Sequence, residues 1–188
     1  NRLPDPVLRA DPAISEQVRR THLAQVGSHY LVFCPGAEYG PAKRWPAAHF
    51  AELGRRLGQA DFPVWIVGSA RDAPIGAEIE QRSDGACRNL CGKTDLGQAI
   101  DLLSCARLVV SNDSGLMHVA AALDRPLVAL YGSSSTAYTP PLSQRARLLS
   151  LDLECSPCFK RECPLGHLKC LNDLSPSMVL ESAKEALS

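Results

Sequence analysis

The sequence predicts an α/β protein: a parallel sheet with helices on both faces. Short apolar runs alternate with helix-period segments at least four times along the 188 residues, the order that crossover connections demand. Loops rich in glycine and polar residues follow those apolar runs, so a parallel sheet would open them all at one edge, where ligands bind. The densest such unit is Arg107–Gly132 (RLVVSNDSGLMHVAAALDRPLVALYG).

Taken in order, residues 1–12 are Pro-rich and irregular, and read as a linker from an upstream domain. Ile14–Val26 reads as an amphipathic helix with Ile14, Val18 and His22 on one side. Tyr30–Cys34 is a buried strand, and Pro35–Pro46 a long loop with Gly36, Gly40, Lys43 and Arg44. Ala47–Gln59 places Phe50, Leu53 and Leu57 at helical spacing. Pro63–Val67 is the next strand, Gly68–Asp72 a turn and Ala73–Gln81 a helix. Arg88–Cys91 is a short strand, and Leu96–Cys105 a helix capped by Thr94 or Asp95. Leu108–Val110 is a strand, Ser111–Gly115 a tight turn, and Leu116–Leu123 a helix with Ser111 or Asp113 as its cap. His118 stands four residues from Ser114, which puts the pair on one helical face. Asp124-Arg125-Pro126 breaks that helix before the strand Leu127–Tyr131. The loop Gly132–Pro141 and a last strand, Ala146–Leu151, precede a Cys-rich segment. Ser175-Pro176 then opens a terminal helix to Leu187.

Bulk composition narrows the function. Twenty Lys+Arg balance twenty Asp+Glu, so no basic excess points to nucleic acid. No apolar run reaches the roughly 18–20 residues of a membrane span. The first ten residues lack the apolar stretch of a signal peptide. A start at Asn rather than Met suggests a piece of a longer protein.

Three loops invite a phosphate-bearing ligand. The helix that starts at Leu116 offers unpaired N–H groups, beside Asp113, Ser114, Gly115 and His118. Lys43 could supply the cation such a ligand wants, or be a solvated surface charge. Asp72 could accept from a ribose, or simply begin a helix. Neither G-x-x-x-x-G-K-[ST] nor G-x-G-x-x-G occurs. Of eight cysteines, Cys34, Cys87, Cys91 and Cys105 read as small buried hydrophobes. Cys155, Cys158, Cys163 and Cys170 suit a structural zinc, with His167 as an alternative ligand and disulfides or free thiols as the other readings.

Phe33–Pro46 (FCPGAEYGPAKRWP), Ser111–Gly132 and Thr139–Ser143 (TPPLS) together resemble glycosyltransferase family 9, the heptosyltransferases, over a stretch from Tyr30 to the C-terminus. The resemblance implies a Rossmann-like domain, the C-terminal half of a GT-B fold. Residues 1–28 would be linker and interdomain helix, and 29–188 the nucleotide-sugar donor domain with its Cys-rich segment 155–170. It implies inverting transfer of L-glycero-D-manno-heptose from ADP-heptose to the first heptose of the lipopolysaccharide inner core. The enzyme would work in the cytoplasm, in peripheral contact with the inner membrane, without a catalytic metal and without nucleic acid. The acceptor and the general base would belong to the N-terminal domain. Lys43 matches the lysine that neutralises the donor phosphates and the leaving ADP. Asp113, Ser114, Gly115 and His118 match the D-[ST]-G-x-x-H motif for diphosphate and heptose. Asp72 falls near a ribose-contacting acid and Thr94 near an adenine-side position. Another family 9 or GT-B nucleotide-sugar enzyme, or a zinc-clipped interaction module, are the competing readings.

Overall fold

The computed structural model describes residues 4–22, 29–59 and 62–188. Six parallel strands form one sheet in the order β3-β2-β1-β4-β5-β6: β1 Leu31–Cys34, β2 Val64–Ile66, β3 Cys87–Asn89, β4 Leu108–Asn112, β5 Leu127–Tyr131 and β6 Ala146–Ser150. The chain winds outward in both directions from the β1–β4 pair, in register Leu31 with Leu108 to Cys34 with Ser111. That pair is the switch point of a doubly wound sheet, where the loops after β1 and β4 diverge and leave a crevice.

The two-residue period of the strands fills two cores. Leu31, Phe33, Leu108, Val110, Val128 and Leu130 face one, with Trp45 and Phe50. Val32, Cys34, Val109, Leu127, Ala129 and Tyr131 face the other, with Leu102, Leu103 and Met117. Helices α2 (Ala47–Gly58), α3 (Ala73–Arg82) and α7 (Pro176–Leu187) contribute to the first core, and α1 (Pro12–His22), α4 (Leu96–Cys105) and α5 (Gly115–Ala122) to the second. Strands buried on both faces explain why β1, β4 and β5 read as unbroken apolar runs.

Several expectations need correcting. Helix α1 starts at Pro12, with Asp11 Oδ1 accepting from Ala13 N at 2.8 Å. Its inward face carries buried Ser15, which donates to Asp101 Oδ1 at 2.8 Å, and Val18, whereas Ile14 is exposed. Residues 23–26 of the expected helix lie outside the described residues. Strand β3 begins at Cys87, which pairs with Val64. It stops at Asn89, whose Oδ1 accepts from Cys91 N at 2.9 Å and turns the chain. A short helix, α6 (Lys169–Asn172), precedes α7. Helix α4 is capped by Asp95, not Thr94.

Candidate functional site

The loops that follow β1 to β4 meet at the carboxyl edge of the sheet around a cleft of about 650 Å³. Its walls mix backbone and apolar surface (Gly36, Val67, Gly68, Ala99, Leu116, Val119) with polar side chains that include Asp72, Thr94 and Ser114. A cleft of that size, largely apolar with a few convergent polar groups, suits a nucleoside-sized ligand.

Asp72 is set by its own turn. Ser69 donates from N at 2.9 Å and from Oγ at 2.7 Å, both to Asp72 Oδ2. The helix-opening reading of this residue is therefore realised, and Oδ1 takes no part in either bond. A methyl group on Gly36 would lie 2.6 Å from that carboxylate. Glycine there is a requirement of the site. Thr94 also lines the cleft, and its Oγ1 is buried with no hydrogen-bond partner. Such a hydroxyl costs free energy until a ligand or water meets it.

The start of α5 forms the next wall. Ser114 takes the cap position, but its side chain makes no cap bond; Oγ lies 3.3 Å from Ser111 Oγ instead. The expected cap, Ser111 or Asp113, is thus corrected. The first N–H groups of α5 stay open at the cleft beside exposed Gly115, on which a Cβ would meet nothing within 4 Å. An uncapped helix start of this kind attracts anions.

Asp113 is free of capping because it serves Lys43. Lys43 Nζ stands 2.6 Å from Asp113 Oδ2, and Thr139 Oγ1 donates to the same oxygen at 3.4 Å. Lys43 ends a single 3-10 turn, Pro41–Lys43, and its ammonium also lies 5.2 Å from the Tyr39 ring centre. The loop that carries it is stapled by Asn112, which accepts from Trp45 N at 3.1 Å and donates to Pro35 O at 2.7 Å. Trp45 Nε1 donates to Leu174 O at 2.8 Å.

Asp72, Thr94, Ser114 and Gly115 therefore share one cleft. Lys43 and Asp113 form a pair beside it, joined to it through Ser114, the next residue in the chain. His118 is not in that cleft. It is exposed on α5 and lines a separate depression of about 90 Å³ with Pro6, Ala121, Ala122 and Leu142. Because Ser114 is the cap and not a helical residue, the four-residue spacing does not bring the two into one pocket. Sequence reading gave no role to Asn112 or Thr139. A buried Asn at a strand end is the signal that could have marked the first.

Cys155, Cys158, Cys163 and Cys170 are free thiols that line one small cavity of about 20 Å³, with His167. Backbone N–H groups of Leu168, Leu165, His167 and Gly166 hold the Cys163 thiol below its ordinary range. Among the described residues, no group of three or more His, Cys, Asp or Glu side chains stands in metal-holding geometry. Cys34, Cys87 and Cys91 are buried, as expected; Cys105 is half-buried.

The fold and the cleft define the class: a doubly wound α/β domain with an anion-attracting helix start at its switch point. The glycosyltransferase family 9 (heptosyltransferase) model matches residues 2–169, and the chain belongs to that family. It is 49% identical to lipopolysaccharide heptosyltransferase 2 of Salmonella typhimurium, over 83% of this chain and 46% of that protein. It is 43% identical to lipooligosaccharide heptosyltransferase 2 of Haemophilus influenzae, over 97% of this chain and 56% of that one. The solved structure of E. coli ADP-heptose lps heptosyltransferase II superposes with a TM-score of 0.83 at 40% identity, over 98% of this chain and 55% of that chain. The chain spans about half the length of the curated relatives it matches.

Proposed function

We propose that this chain is the donor-binding half of an inverting heptosyltransferase, which moves L-glycero-D-manno-heptose from ADP-heptose to the first heptose of the lipopolysaccharide inner core. The observation that carries the reading is the convergence of a nucleoside-sized cleft, an uncapped helix start and a fixed lysine at one sheet edge. The adenosine occupies the cleft, with Asp72 on the ribose side and Thr94 toward the base. The diphosphate lies on the N-terminus of α5, at Ser114 and Gly115, with Lys43 held by Asp113 alongside. His118 faces the heptose from the outer surface of α5.

In the transfer step negative charge grows on the departing ADP. Fixed N–H dipoles and the Lys43 ammonium are already in place to receive it, without reorganisation at the moment of reaction. That arrangement takes up the charge a metal ion would otherwise neutralise, so the chemistry calls on no cofactor. Zinc on Cys155, Cys158, Cys163 and Cys170 belongs to the architecture of the chain and not to the transfer. Residues 29–188 are the donor domain, and 1–28 lead in from the acceptor domain, which supplies the general base. The acceptor, a lipid-linked core oligosaccharide, brings the enzyme to the cytoplasmic face of the inner membrane as a peripheral protein. Among the described residues no helix is long and apolar enough to cross a membrane.

Calorimetric titration of ADP into the chain, with UDP as control, tests the reading. ADP is expected to bind selectively and Lys43→Ala to weaken it, whereas His118→Ala should weaken ADP-heptose and leave ADP unchanged. Equal affinity for UDP would overturn the ADP-heptose assignment and favour another nucleotide-sugar enzyme of the same fold.

A further inference from the structure

The segment between β6 and α6 meets the first core at its start, through half-buried Leu151 and Leu153. From residue 151 to residue 169 no side chain is buried. Nevertheless the segment follows a defined path against the rest of the domain. Ser156 Oγ donates to Gly132 O, and Phe159 N to Ser133 O at 2.7 Å. A stretch that buries so little cannot offset its conformational entropy by hydrophobic burial, and small loop-rich units of this kind are normally stapled.

The four cysteines are where a staple would sit. Cys155 and Cys158 enclose a C-x2-C turn, Cys163 opens a second turn that ends at Gly166 (φ 69°), and Cys170 comes from α6. All four line the same cavity of about 20 Å³, room for an ion and for little else.

The segment also reaches the lysine loop. Ala42 N donates to Arg161 O at 3.0 Å, Arg161 Nε to Tyr39 O at 2.6 Å, and Tyr39 Oη to Phe159 O at 2.7 Å. A Cβ on Gly40 would stand 2.5 Å from Arg161 O, so the two stretches of chain lie in direct contact. Residues 39–42 lead straight into Lys43.

We infer that Cys155, Cys158, Cys163 and Cys170 together bind one zinc ion, and that this clip holds the loop presenting Lys43 in its working position. On binding, the four thiols release four protons to solvent and leave a tetrathiolate of net charge −2. The fixed charges of the segment balance, Lys160, Arg161 and Lys169 against Asp152, Glu154 and Glu162, all exposed. The thiols are gathered without the ion, and the ion draws them into tetrahedral contact. The positioning half of the inference rests on the donor-site reading of Lys43; the metal half does not.

The test uses the chain purified without chelator. Elemental analysis should find one zinc per chain, lost in Cys158→Ser and in Cys163→Ser and retained in Cys105→Ser. Cobalt(II) in place of zinc should show tetrahedral thiolate absorption. Removal of the metal should speed amide hydrogen exchange over residues 39–43, and zinc should restore protection. It should also weaken ADP binding about tenfold, with no further loss in a Lys43→Ala background. Substoichiometric zinc, zinc retained by both serine variants, or disulfides among the four cysteines by intact mass would each overturn the metal site. Stoichiometric zinc with unchanged exchange at 39–43 would overturn the positioning role, whether or not ADP binds. If ADP fails to bind while both metal results hold, the failure lies with the donor-site reading alone.

Discussion

Lys43 and Asp113 are 70 residues apart in sequence and 2.6 Å apart in space, Nζ to Oδ2, with only 5% of the Asp113 side chain exposed. A buried carboxylate that loses its cation is destabilising. Lys43→Met should therefore lower stability by about 1–3 kcal/mol, less than for a fully buried pair because 16% of the lysine side chain is exposed. Urea unfolding reads that loss. Calorimetry should show ADP affinity reduced about 10- to 100-fold in the same protein. A variant with wild-type stability and wild-type affinity would remove the pair from both roles.

Asn112 should behave differently from a surface amide. Replacing it with Leu strands Trp45 N–H and Pro35 C=O in the interior. The cost should be about 2–6 kcal/mol, the sum of two unsatisfied buried groups. Hydrogen exchange should accelerate at Trp45 before it accelerates in β5.

Two glycines should separate stability from binding. Gly115→Ala meets open space and gains helix propensity, so its melting temperature should stay level or rise, worth up to about 1 kcal/mol. Its methyl group nevertheless intrudes on the anion position, and ADP affinity should fall. Gly36→Ala drives Cβ to 2.6 Å from Asp72. It should cost about 1–3 kcal/mol and weaken binding as well. Matching stability changes in the two would contradict the geometry.

Thr94→Val removes a buried hydroxyl that has no partner. The free protein should lose no stability and can gain some, while ADP affinity falls several-fold. A thermal melt with and without ADP measures both: the unliganded melting temperature holds, and the ADP-induced increase shrinks.

Burial pushes the thiols of Cys87 and Cys91 up to about 12, from an ordinary value of 9.0. Their folded-state values are raised, so the unfolded chain releases those protons first. The stability they carry is present below pH 9 and is lost as pH rises toward 12. Urea midpoints should fall over that window. The fall should be shallower in a Cys87→Ala, Cys91→Ala double variant, and an identical slope would show that other groups control it.

Much of the fold was legible because local signals agreed with tertiary ones. Asp124-Arg125-Pro126 ends α5 and lets β5 start at Leu127, as read, and the Asp95 cap with Gln98 places the start of α4. The boundaries of β3 were not legible, since Asn89 turns the chain through its own side chain. Helix α6 has one turn and no periodicity to read. At the candidate site, the clustering of Asp72, Ser114 and Gly115 followed from strand-end loops that share one edge, while Thr94 entered only through the family resemblance. The fate of Asp113 did not. A cap and an ion-pair partner look alike in sequence, and only the position of Lys43 in space decides between them. The separation of His118 from Ser114 was hidden for a related reason: helical spacing counts from residues inside the helix, and Ser114 stands outside it.

The pairing of β1 with β4 has a kinetic consequence. Lys43 and Asp113 come from two stretches separated by 70 residues, and they meet only when Phe33 lies beside Val110 at the centre of the sheet. Closing so long a loop precedes any reward from the contacts it makes, which slows folding. The binding surface should then emerge late, in the same step as the central ladder, and no partly assembled chain should hold nucleotide. In a refolding experiment, the first moment at which ADP is captured would mark the closure of the sheet.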